Sequence, residues 1–177
     1  WLERFAADTE RLSGRRDAVA KAPARGIKVA VAGSGPAGLA FAGDMIKLGY
    51  EVTVFEALHE IGGVLKYGIP EFRLPNAVVD AELDSLRDLG VKFRKDCIIG
   101  KTLSYEDLLA EGYKAVFVAS GAGLPRFMGI PGENLIGVMS SNEYLTRINL
   151  MGAGRGGMTP VARGRRVAVI GGGNTAM

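Results

Sequence analysis

Apolar positions along the chain follow two patterns. Leu2, Phe5, Ala6, Thr9 and Leu12 fall at helical spacing in WLERFAADTERLSG, which predicts a helix closed by Gly14. RRDAVAKAPARG, residues 15–26, reads as a further helical turn running into a basic linker. From Ile27 the pattern shifts to short continuous apolar runs. IKVAVAG, EVTVFE and KAVFVAS each predict a buried strand. Between the first two, Pro36 suits the first turn of a helix, where its missing N–H costs nothing, and Gly49 suits a left-handed cap after Lys47 or Leu48. Strand, glycine turn, helix and strand make one βαβ unit, a crossover that is right-handed almost without exception.

Residues 57–75 carry no periodicity and read as a long functional loop. A helix is expected from Asn76 to Gly90, with Val79, Leu83 and Leu86 on its core face, and one or two short strands in VKFRKDCIIG. Ser104 with Asp107, and Ser140 with Glu143, are capping-box pairs opening two further helices, the second ending near Gly152. A glycine-rich basic linker then leads to a last strand, VAVI, and the turn Gly171-Gly172-Gly173-Asn174-Thr175-Ala176. The domain reading is a helical lead-in over 1–25, a dinucleotide-binding segment over 26–151, and the linker, strand and turn of a second domain over 152–177.

Composition narrows the function classes. Glycine makes up 26 of 177 residues, about 15% against a usual ~7%, without period or low complexity, so it marks tight backbone turns. Lys and Arg number 22 against 19 Asp and Glu, for a net charge of +3, which carries no nucleic-acid or membrane-surface signature. One cysteine, Cys97, leaves no intrachain disulfide and no zinc or iron–sulfur site built from this chain alone. No apolar run reaches the ~18 residues of a membrane span and no signal peptide is evident, so the expectation is a cytoplasmic protein with neither nucleic-acid nor membrane partners.

The chemistry sits in the glycine turns. Gly33-Ser34-Gly35-Pro36-Ala37-Gly38 follows a strand and opens a helix, the context in which GxGxxG has physical meaning. Gly33 permits the tight turn, Gly35 lets a pyrophosphate approach the backbone, and Gly38 lets helix and strand pack closely. The helix N-terminus offers N–H groups and a positive dipole end to phosphates. Glu56 closes the second strand 18 residues after Gly38, where a carboxylate accepts from ribose hydroxyls, and Ala57 follows it. Ala119, Ser120 and Gly121 end a later strand in small residues and leave room for a ligand above the sheet. The motif alone does not separate FAD from NAD.

GGVLKYGIPEFRLP (62–75), SGAGLPRFMGIPGENLIGV (120–138) and VAVIGGGNTAM (167–177) together resemble the small (beta) subunit of NADPH-dependent glutamate synthase and its relatives. These include the large subunit of NADH-dependent ferredoxin:NADP oxidoreductase and the N-terminal half of dihydropyrimidine dehydrogenase, and WLERFAAD resembles the family's lead-in helix. The resemblance implies an α/β, Rossmann-like FAD-binding domain of the flavoprotein type with two dinucleotide-binding domains, followed by the start of a Rossmann-like NADPH domain. It implies a segment of a longer protein whose iron–sulfur ligands lie before Trp1. Electrons would pass from NADPH through FAD to iron–sulfur clusters and a partner, a glutamate synthase large subunit or another electron-accepting subunit.

By the same resemblance, FAD would lie on the first glycine turn, on Glu56 and Ala57, and along the loop of Gly62, Gly63, Val64 and Leu65, with Lys66 near the flavin or its phosphates. The Cys97 backbone would meet the adenine. Gly171, Gly173, Asn174, Thr175 and Ala176 would belong to the NADPH turn. The flavin carries the chemistry, so no side-chain acid, base or nucleophile is expected. His59 reads as solvated, and Lys66 and Arg73 are each placed equally well as ordinary surface bases or by neutralising cofactor or partner charge. A plain NAD-dependent dehydrogenase would leave the 62–75 loop and the second glycine turn unexplained. A non-catalytic flavin-binding module is the remaining alternative, and the 177 residues alone are expected to be inactive.

Overall fold

The computed structural model describes residues 1–14 and 19–176. Four strands, β1 (Lys28–Ala32), β2 (Glu51–Phe55), β3 (Lys92–Arg94) and β4 (Tyr113–Val118), form one sheet in the order β3-β2-β1-β4. All three pairings are parallel. The two inner strands, β1 and β2, are buried on both faces, which is why they read as unbroken apolar runs, whereas the edge strands β3 and β4 are largely half-buried or exposed. Val31, Val52 and Val54 point into one core with Ala42, Ile46 and Val91. Ala30 and Phe55 point into the opposite one with Cys97, Leu108 and Tyr113.

Helix α2 (Pro36–Lys47) crosses from β1 to β2, with Pro36 at its first position and Gly49 at φ 86° just beyond its end. Helix α4 (Asn76–Asp88) buries Val79 and Leu83 against Ile61, while Leu86 is half-buried against the first core. Helix α1 (Leu2–Ser13) ends at Gly14 in the left-handed region as the sequence predicts, but buries no residue. Part of the helical turn expected in residues 15–26 lies outside the described residues. The remainder has no helix and is fastened to the domain: Arg25 Nε donates to Leu48 O and Lys21 Nζ to Leu89 O.

Three expectations need correction. The 57–75 loop contains one helical turn, α3 (Val64–Tyr67), too short to show a period. KAVFVAS forms most of β4 but is not the buried strand its apolar run predicts, because it lies at the edge of the sheet and Lys114, Ala115 and Val118 are exposed. VKFRKDCIIG, by contrast, gives one short strand, β3, within the one or two expected. Val167–Ile170 forms no strand, and Val167, Val169 and Ile170 are 75%, 64% and 76% exposed. An apolar run becomes a strand only where a neighbour takes its N–H and C=O groups, and among the described residues no strand pairs with this one. The Ser104–Asp107 capping box is complete and opens α5 (Tyr105–Ala110). Its hydrogen bonds from the Ser104 backbone and side chain hold the Asp107 carboxyl below its ordinary pKa. Ser140 caps α6 (Ser141–Leu145) through Glu143 N–H, and a π-turn over 146–150 extends it.

Candidate functional site

Register places the site. Ala32 pairs with Phe55 and with Val118, and Phe55 pairs with Arg94, so all four strands end at one edge of the sheet. In open α/β sheets ligands bind in the crevice outside these carboxyl ends, where the strand order reverses. Here the reversal lies between β1 and β4. At that edge a cleft of about 1770 Å³ opens, lined by residues 32–37, 55–58, 63–64, 97–99 and 118–123, with a far wall drawn from 140–160. Small-molecule pockets run to roughly 300–1,000 Å³, so this volume has room for a large ligand such as a dinucleotide.

The glycine turn is built by contact. Gly33 has φ 110°, and a Cβ there would overlap the Ala119 carbonyl across the switch point. A Cβ on Gly38 would overlap the Gly33 carbonyl, so helix and strand meet backbone to backbone. Gly35 differs: a Cβ there would meet no protein atom within 4 Å, and the residue faces the cleft. Ala37 and Gly38 lie in the first turn of α2, whose N–H groups find no carbonyl within the helix. Room for a phosphate and donors to hold it therefore coincide, which is the fit a dinucleotide's pyrophosphate requires.

Glu56, 6% exposed, sits beside this turn. Its Oε2 accepts from Ser34 N–H at 2.9 Å and from the Ser34 hydroxyl, and its Oε1 accepts from Leu58 N–H at 2.9 Å. Cys97 is buried, and its N–H donates to the Glu56 carbonyl at 2.8 Å, bringing 97–99 to the cleft wall. Ala119 N–H donates to Ala32 O at 2.8 Å and sets Ala119, Ser120 and Gly121 opposite the glycine turn.

Of the residues singled out by sequence, Gly33, Ser34, Gly35, Pro36, Ala37, Glu56, Ala57, Gly63, Val64, Cys97, Ala119, Ser120 and Gly121 line the cleft. Gly38 and Gly62 stand directly behind it, and Leu65 packs into the core around Ile61. Lys66 turns away: its Nζ lies 2.6 Å from Asp80 Oδ1 and 3.5 Å from Glu60 Oε2, in a separate small pocket. His59 and Arg73 are exposed and outside the cleft lining. Gly171, Gly173, Asn174, Thr175 and Ala176 are not among the cleft-lining residues, and the last four form a turn closed by Ala176 N–H on Gly173 O.

Sequence reasoning missed the far wall. Thr146, Arg147, Met151 and Thr159 line it, with the Arg147 guanidinium held by Glu143 at 2.9 Å and by Pro160 O at 3.0 Å. Asn149 Nδ2 on Tyr67 O at 3.0 Å and Arg155 on Glu71 at 2.6 Å tie this wall to the 62–75 loop. The capping box announced a helix there, but no local signal says which way a helix faces across more than eighty residues.

The chain is 43% identical over 156 residues to the glutamate synthase [NADPH] small chain of Mycobacterium tuberculosis, covering 85% of this chain and 32% of that protein. It is 39% identical over 154 residues to the NADP(+)-dependent formate dehydrogenase subunit beta of Moorella thermoacetica, covering 86% of this chain and 21% of that one. The chain thus spans a third or less of these two relatives. Among solved structures, the M. tuberculosis oxidoreductase FprA shares the fold with a TM-score of 0.62 at 23% identity, over 71% of this chain and 29% of its own. Residues 27–177 match the pyridine nucleotide-disulphide oxidoreductase family, and the chain belongs to it.

Proposed function

We propose that this chain is the FAD-binding part of an NADPH-dependent oxidoreductase of the glutamate synthase small-subunit kind. The observation that carries the reading is the cleft itself. A glycine turn with open space at Gly35, a buried carboxylate at Glu56 and a small-residue turn at Ala119–Gly121 meet at one sheet edge, in a volume that suits a dinucleotide. The first turn of α2 would hold the pyrophosphate, Glu56 a ribose hydroxyl, the 97–99 backbone the adenine, and Gly63 and Val64 the length of the cofactor. Bound there, the flavin would supply hydride acceptance from NADPH and onward delivery of single electrons. The chain's own part is to bind, orient and exclude water.

Two similarities support the glutamate synthase assignment: the 43% identity to the M. tuberculosis protein, and the family resemblance of the 62–75 segment GGVLKYGIPEFRLP. On this reading NADPH is the donor, iron–sulfur clusters outside these residues receive the electrons, and a large subunit uses them in glutamate formation in the cytoplasm. A non-catalytic flavin-binding module is the second reading for these 177 residues by themselves, favoured by the exposure of 167–170. The test is a flavin spectrum. Protein purified with added FAD should retain yellow flavin absorbance through gel filtration. Colourless protein that instead takes up NAD would overturn the assignment.

A further inference from the structure

Ser34 is fully buried at the junction of the glycine turn, the end of β2 and the 62–75 loop. Its Oγ accepts from Gly62 N–H at 2.9 Å and donates to Oε2 of Glu56. The Gly62 contact settles where the hydroxyl proton goes: with a donor already on Oγ, the O–H is free to point at the carboxylate. Oε2 also receives Ser34 N–H, and Oε1 receives Leu58 N–H, each at 2.9 Å. A carboxylate offers about four acceptor positions. Both on Oε2 are filled, and one on Oε1 remains.

We propose that Ser34 is a positioning residue that acts through Glu56: its hydroxyl fixes the carboxylate's rotation so that Oε1 presents one open acceptor position to the cleft for a ribose hydroxyl. This rests on the dinucleotide reading above. Sterically, alanine would fill the same position, since it differs from serine by the hydroxyl alone. What alanine loses is the side-chain donor on Oε2, one of three donors on the carboxylate, so that only the Ser34 and Leu58 N–H groups still hold it against turning. Without the hydroxyl Glu56 samples other rotations in the free protein, and binding has to select the productive one.

The test is a double-mutant cycle on FAD affinity, using the full 177-residue chain, its Ser34→Ala and Glu56→Ala variants and the combination, read by quenching of flavin fluorescence. Ser34→Ala should weaken FAD about tenfold, the scale of one hydrogen bond to a charged group. Glu56→Ala should weaken it at least as much. The double variant should match Glu56→Ala within about threefold, because the carboxylate through which the hydroxyl acts is gone and its remaining partner, Gly62 N–H, lies behind the cleft. Unchanged affinity in Ser34→Ala, or losses that multiply in the double variant, would overturn the proposal. A measurement on the parent guards against a misfolded variant: the Gly62 amide of the FAD-free protein should be protected from hydrogen exchange, and exchange at an open-chain rate also overturns it. A parent that binds no FAD at all defeats the underlying reading instead, whatever the amide shows.

Discussion

Lys66 marks the limit of residue-scale reading. Its neighbours in sequence, Gly63 and Val64, line the cleft, so its position alone places a cation beside a phosphate-bearing ligand. The side chain turns to Asp80 on α4, 14 residues away, and its stem lies against Gly62. A rotamer choice of this kind is made by partners that no local pattern reveals. Replacing Lys66 by Met keeps the stem and removes only the charge. The expected outcome is FAD affinity within about twofold of the parent, with under ~1 kcal/mol of lost stability because Asp80 is half-exposed. A tenfold fall in FAD affinity, measured by flavin fluorescence titration, would return Lys66 to the cofactor. Glu56 was legible for the opposite reason: the end of β2 is a fixed point of the βαβ unit, and a carboxylate there has one direction to face. The buried hydroxyl of Ser34 was not, since its two partners come from segments 22 and 28 residues along the chain.

Elements were readable where the backbone itself sets the pattern. Parallel strands buried on both faces, a helix with proline first and a left-handed glycine after its end, and a reciprocal capping box all leave local marks. The glycine turn carries two different demands that sequence cannot tell apart and the structure separates. Gly38 is where α2 and β1 touch, and a methyl there meets the Gly33 carbonyl. Gly35 has ordinary φ of −70° and open space where its Cβ would stand. Gly38→Ala should therefore cost about 3 kcal/mol of stability, the upper part of the overpacking range, and lower the thermal midpoint of the FAD-free chain. Gly35→Ala should leave that midpoint unchanged or slightly raised, since alanine narrows the unfolded ensemble by about 0.4–1 kcal/mol. Its effect should appear in binding, as a loss of tenfold or more in FAD affinity from a methyl placed where a phosphate lies. Thermal melts and flavin titrations on both variants check this. If Gly35→Ala binds FAD as the parent does, the pyrophosphate does not cross that turn.

At the scale of the whole molecule, the two glycine turns look alike as sequence and differ as structure. The first is backed by a strand with a parallel neighbour on each side, in a four-stranded sheet, and by a 12-residue helix. The second follows Val167–Ile170, which forms no strand among the described residues, and the turn there is closed by Ala176 N–H on Gly173 O. A phosphate site at a helix N-terminus needs several N–H groups held parallel by the turns beyond them. Exposed apolar residues leading into one isolated turn cannot hold them, for isolated helices become stable only near 12–15 residues. The 177-residue chain should thus bind FAD in its cleft yet show neither NADPH binding nor NADPH-driven dye reduction. A chain extended to the length of the M. tuberculosis relative, about three times longer, should show both. Titrating NADPH into each, with an artificial dye as electron acceptor, separates the two. Micromolar NADPH affinity in the 177-residue chain would mean that the first cleft, not the second turn, takes the nicotinamide nucleotide, and the FAD assignment would fall with it.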